Sequence, residues 1–147
     1  MRTLIQASLI AAVLAAPAAW AQDTPVGLWK SIDDETGKPK SLVRITEEQG
    51  HLKGTIEKLF RGPNEDQNPK CVNCEGVNKD QPIIGMTILS GLRKNGDVYD
   101  GGTVLDPKNG KTYKARITLK DEGKKLEMRG YMGMPMFGRT QTWVREQ

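Results

Sequence analysis

Few residues of this 147-residue chain have the type and spacing to do chemistry, and the plainest are Cys71 and Cys74, its two cysteines, arranged Cys-x-x-Cys. Such a pair can close a disulfide, act as a redox couple or give two ligands to zinc. A redox couple needs a reactive thiolate, usually at a helix N-terminus in a thioredoxin-like αβ setting, and that setting is missing. Structural zinc needs two more ligands, yet the one histidine, His51, belongs to a different turn. In an oxidising compartment the first expectation is therefore a Cys71–Cys74 disulfide. So short a ring contributes roughly 2 kcal/mol, which orders a loop more than it stabilises a domain.

Met132-Gly133-Met134-Pro135-Met136 is the next candidate. Thioethers are soft ligands that suit Cu(I). The plainer expectation is that these flexible side chains fill irregular space near a barrel mouth or an apolar pocket. Leu105-Asp106-Pro107-Lys108-Asn109-Gly110 holds an acid and an amide, but Asp-Pro followed by Asn-Gly is turn chemistry first. No Ser/His/Asp set, metal-ligand cluster or phosphate-cradling glycine loop is visible. The chain is expected not to be an enzyme and to carry no cofactor and no metal.

The opening residues read as a secretory leader over 1–21: Arg2 gives the positive start, Leu4 to Leu14 is mostly apolar, and Ala19-Trp20-Ala21 is a small-x-small cleavage site. The apolar run is too short to span a membrane and none follows it, so a periplasmic protein without a transmembrane segment is expected. Removing 21 residues from 147 leaves 126, one domain over 22–147 with enough chain to bury a core. The net charge is +4, and the bases are dispersed among acids rather than gathered in a stripe, so no nucleic-acid partner is expected.

Turn signals recur at Thr36-Gly37-Lys38-Pro39, Gln49-Gly50, Lys94-Asn95-Gly96-Asp97, Asp106 to Gly110 and Asp121-Glu122-Gly123. Between them runs period-two alternation. Val43 and Ile45 oppose Arg44 and Thr46, and Tyr113, Ala115, Ile117 and Leu119 oppose Thr112, Lys114, Arg116 and Thr118. About eight such segments lie near 26–33, 40–48, 51–60, 83–92, 97–105, 111–120, 124–132 and 136–145. Consecutive hairpins make a meander, and closing it removes both edges, which gives an all-β, eight-stranded up-and-down antiparallel β-barrel. Residues 61–82 break the rhythm with Pro, Gly and Asn and read as one long loop, a candidate lid over a barrel mouth.

Gly27-Leu28-Trp29 on the first strand and Trp143-Val144-Arg145 on the last resemble the closing seam of the calycin group, which includes the lipocalins. The resemblance implies that Trp29 stacks with a late Arg, Arg145 or Arg139, where the barrel closes, and that this Arg also bonds to nearby backbone. A guanidinium suits both tasks. The mature chain as a whole resembles a family of small secreted bacterial proteins known as domain of unknown function 2147. The resemblance rests on Gly27-Leu28-Trp29-Lys30, Cys71-Val72-Asn73-Cys74, Pro82-Ile83-Ile84-Gly85, Leu105 to Tyr113, Arg129-Gly130-Tyr131 and Gly138 to Trp143. It implies a lipocalin-like barrel in the periplasm and supplies no catalytic residue.

Alternation gives Arg139 and Gln141 the parity of Trp143 and Arg145. If Trp143 points inward, Arg139 is expected inside too, paired with an internal acid such as Asp100 or anchoring an anionic ligand group. Eight strands enclose a space that side chains fill or one small ligand occupies. The first functional expectation is a binder of a small apolar or amphiphilic molecule, with Arg139, Gln141, Met128 and Ile117 as candidate ligand contacts. A filled-barrel structural or interaction protein of the envelope is second, and a metal or redox role through the Met or Cys segments is third.

Overall fold

A computed structural model describes residues 10–13 and 24–147. The leader expectation, 1–21, thus falls almost wholly outside the described residues. Among them no helix is long and apolar enough to cross a membrane.

Eight strands follow one another: β1 (Gly27–Ile32), β2 (Pro39–Glu48), β3 (His51–Leu59), β4 (Thr87–Asn95), β5 (Val98–Asp106), β6 (Lys111–Lys120), β7 (Lys125–Tyr131) and β8 (Gly138–Arg145). Each pairs antiparallel with the next and β8 pairs with β1, so the meander is a closed barrel. Alternation is the cause. On β2 the buried positions are Ser41, Val43 and Ile45, and on β3 they are Leu52, Gly54 and Ile56, which places one apolar row of each strand inside.

One boundary shifts. The fourth strand begins at Thr87 rather than near residue 83, because Ile83 is still held by the long loop, its N–H donating to the Pro69 carbonyl at 3.0 Å. Ile83 to Met86 return the chain to the barrel, and Gly85 N–H bonds the Ile56 carbonyl at 2.7 Å.

The antiparallel order gives the barrel two unlike ends. The start of β1, the turns at Gln49–Gly50, Gly96–Asp97 and residues 121–124, and the C-terminus gather at one, the closed end. Loops 33–38, 60–86, 107–110 and 132–137 gather at the other, the mouth. The core fills the space between. Trp29, Trp143, Ile45, Leu92, Ile117 and Leu126 are buried to within 1% and form one packed cluster, so no void large enough for water adjoins them.

Candidate functional site

The seam between β8 and β1 is short, with register pairs Trp29–Arg145, Lys30–Val144 and Ser31–Trp143. At its base the Arg145 guanidinium lies 4.3 Å from the centre of the Trp29 ring. Its Nε donates to the Gly123 carbonyl at 2.7 Å, Nη1 to Val26 at 2.8 Å and Nη2 to Thr24 at 2.7 Å. One side chain thereby ties the segment before β1 to the β6–β7 turn across the closed end. Burial pushes its pKa down from the ordinary Arg value. Trp29 donates its Nε1–H to the Pro25 carbonyl at 2.7 Å.

Gly27 explains the first residue of the Gly-x-Trp pattern. Its φ is +145°, and a Cβ there would stand 2.4 Å from the Gln147 carbonyl oxygen and 2.6 Å from Arg145 Nη1. Only glycine leaves room for the guanidinium and the returning C-terminus. Nothing in composition announces this requirement.

Of the two Arg candidates for the seam, Arg145 lies over Trp29 and Arg139 does not. The expectation of an inward Arg139 is corrected by its position. Register sets it opposite Gly130 on the inward row, but this is the mouth end of β8, and the side chain leaves the barrel with 66% of its surface exposed. It reaches the β1–β2 loop, where Nη2 meets Asp34 Oδ2 at 2.7 Å and Glu35 Oε1 at 3.1 Å. The hydrogen bond to Asp34, then the Asp34 charge, raises its pKa. Its suggested partner Asp100 sits elsewhere, opposite Arg93 on β5 and 3.9 Å from Arg116. Parity alone misleads at a strand end because a long side chain there can turn outward to water.

The other ligand candidates form a row across β6, β7 and β8, with Ile117 opposite Met128 and Met128 opposite Gln141. Ile117 is wholly enclosed and Met128 nearly so. Gln141 uses its Oε1 to accept the Trp143 Nε1–H at 3.2 Å. These three contact the core rather than a chamber. Two clefts lie elsewhere. One of about 700 Å³ runs outside β3 and β4, beside Glu48, His51, Lys53 and Ser90. The second, about 410 Å³, sits at the mouth between Cys74, Asn78, Leu105, Lys111 and Met132.

The mouth is closed by the long loop. Cys71 and Cys74 are bonded to each other, with Cα atoms 5.3 Å apart, and both are buried in the same apolar cluster as the barrel core. The loop holds itself together through Cys71 N–H to Gln81 and Asp80 N–H to Cys71, at 2.8 and 2.9 Å. It is fastened to the β5–β6 turn by Asn73 Nδ2 donating to the Lys108 carbonyl at 2.8 Å. It is a plug, not a loose lid. With both sulfurs enclosed, no substrate thiol can reach them in this arrangement.

Loop 132–137 is pinned from below by Arg129, whose guanidinium donates to the carbonyls of Pro135 and Met136 and to Thr140 Oγ1. Within residues 24–147 the exposed large apolar side chains are Phe60, Val72, Val77, Ile84, Met132, Met134, Met136 and Phe137. Every one lies on a mouth loop. Sequence reading missed this concentration, because it emerges only when the topology brings loops far apart in sequence to one end.

The sequence matches the family described as "Uncharacterized protein conserved in bacteria (DUF2147)" over residues 27–145. No curated protein matches it. Among solved structures it is similar to "Protein HP1028 from the human pathogen Helicobacter pylori", described as belonging to the lipocalin family. The TM-score is 0.68 and the identity 23%, over 83% of this chain and 82% of that one. At that identity the likeness speaks for the fold, which is a lipocalin-like barrel.

Proposed function

The chain belongs to the bacterial family described as DUF2147, whose description names no activity, and we propose that it is an exported, filled lipocalin-like barrel acting as an interaction protein of the envelope through its mouth. One observation carries the reading: the interior is packed shut while the exposed large apolar side chains of residues 24–147 all stand on the mouth loops. Monomeric proteins seldom gather apolar surface at one place without a partner for it. A ligand inside the barrel has less support, since it would have to displace enclosed side chains such as Ile117 and Leu126.

Charge favours a protein partner over an anionic bilayer. In the mouth loops stand seven acids, Asp33, Asp34, Glu35, Glu65, Asp66, Glu75 and Asp80, and five bases, Lys38, Arg61, Lys70, Lys79 and Lys108. Arg139, bound to Asp34 and Glu35 at the same rim, is a sixth base, so the rim is of mixed sign and close to neutral in a chain whose overall charge is +4. A rim of mixed sign offers an anionic membrane little electrostatic attraction, whereas an apolar patch ringed by both charges suits a protein partner with a complementary rim. The leader pattern and the paired cysteines support a periplasmic location.

Protein recovered from the native envelope tests the reading. Native mass spectrometry should show a chain beginning at Gln22 with no small-molecule adduct. Photo-crosslinkers at Val77 and Phe137 should join one defined protein, and one at Lys94, at the closed end, should not. A stoichiometric lipid adduct, or equal crosslinking from both ends, would overturn it.

A further inference from the structure

Three thioethers within five residues stand in solvent at the mouth, and packing does not account for them. The chain's other methionines in the described residues, Met86 and Met128, are core fillers at 5% and 6% exposure, whereas Met132, Met134 and Met136 are 55%, 56% and 67% exposed. The loop that carries them is fixed rather than slack. Pro135 opens a 3-10 turn over Pro135–Phe137, Phe137 N–H bonds the Met134 carbonyl at 3.0 Å, and Arg129 takes the carbonyls of Pro135 and Met136. The carbonyls of Met134, Pro135 and Met136 are thus engaged, while the three thioethers stand largely in solvent beside them.

We propose that Met132, Met134 and Met136 form a binding site for Cu(I). The donor set decides the ion. Residues 131–138 contain no carboxylate, imidazole or thiol, and among the described residues no three His, Cys, Asp or Glu side chains gather as a metal site. Neutral thioethers are poor ligands for Zn²⁺, Mg²⁺ or Ca²⁺, which prefer imidazole, thiolate or hard oxygen, but they suit soft Cu(I). A fixed loop also reduces the ordering cost of bringing three flexible side chains to one ion. Binding here is simple coordination, without electron transfer. Because thioethers carry no proton to displace, affinity at this site is independent of pH, unlike that of a Cys or His site.

The test uses the mature, disulfide-bonded protein under anaerobic conditions, in competition for Cu(I) with a chromophoric chelator such as bicinchoninate. Wild type should withdraw one equivalent. The triple variant Met132→Leu, Met134→Leu, Met136→Leu, which keeps the apolar bulk and hence any docking role, should compete at least tenfold more weakly with the same thermal midpoint. If it does not fold, the three single Leu variants each serve, and each should weaken competition. X-ray absorption should show a sulfur-only shell, and affinity should be the same at pH 5 and pH 7. Equal competition by wild type and the Leu variants, or dependence on His51→Ala or on pH, would overturn the proposal.

Discussion

Gly110 passes so close beneath Asn73 that a Cβ on it would stand 1.8 Å from the Asn73 carbonyl oxygen. Its φ is +74°, a second reason for glycine. The β5–β6 turn is therefore the seat on which the disulfide loop rests, with Asn73 bonded to Lys108 and the Cys71 sulfur 3.4 Å from the Pro107 carbonyl oxygen. Gly110→Ala should lift the loop from its seat and cost about 2–4 kcal/mol through overpacking and backbone strain. Urea unfolding gives the loss, and limited proteolysis should now cut within residues 61–82. A variant as stable and as resistant as wild type would contradict this account of the plug.

Arg145 and Arg139 should respond unequally to the same substitution. Arg145→Met removes three charge-assisted hydrogen bonds to buried-end carbonyls and the contact with Trp29, at about 2–4 kcal/mol. Arg139→Met removes an exposed ion pair that salt already screens, and its unfolding midpoint should match wild type in 0.15 M salt. A larger loss at Arg139 than at Arg145 would mean that the barrel is clamped at the mouth instead of at its closed end.

Eight strands, their order and the inward placement of Val43, Ile45, Ala115 and Ile117 were legible because alternation reports which face meets the core. Arg139 was not, since parity fixes where a Cα–Cβ bond points and not where a long, flexible side chain ends. The fate of Met132, Met134 and Met136 was equally hidden. Composition says that methionine packs, and only the topology shows these three more than half exposed at the mouth, Met132 beside a cleft and Met134 and Met136 on the turn that follows. The plug was half legible: the loop and its cysteine pair could be read, but its seating depends on Asn73 meeting Lys108 from 35 residues away in sequence.

A filled core makes a specific claim about cavities. Leu126 is fully enclosed between Leu119 on β6 and Trp143 on β8, so Leu126→Ala should cost about 2–5 kcal/mol and leave a dry void. Wild-type protein should show no saturable change in tryptophan emission with fatty acids or isoprenoid lipids, whereas the Ala variant should gain affinity for a small probe such as benzene or indole. Saturable quenching of wild type at micromolar lipid would restore the carrier reading.

The Cys71–Cys74 ring should matter locally and little beyond. Replacing both residues by Ser removes roughly 2 kcal/mol of loop constraint and puts two hydroxyls where buried sulfurs packed. Both sulfurs pack on the barrel core, but the barrel is closed by its own strand ladder and by Arg145 at the opposite end, so it should survive. Trp29 and Trp143, buried in the closed-end half, should keep their blue-shifted emission while proteolysis within residues 61–82 accelerates. The disulfide would then be the fastener of the mouth loops, and crosslinking from Val77 should fall with it while that from Phe137, held separately by Arg129, persists. Loss of tryptophan burial in the double Ser variant would instead make the plug part of the folding core.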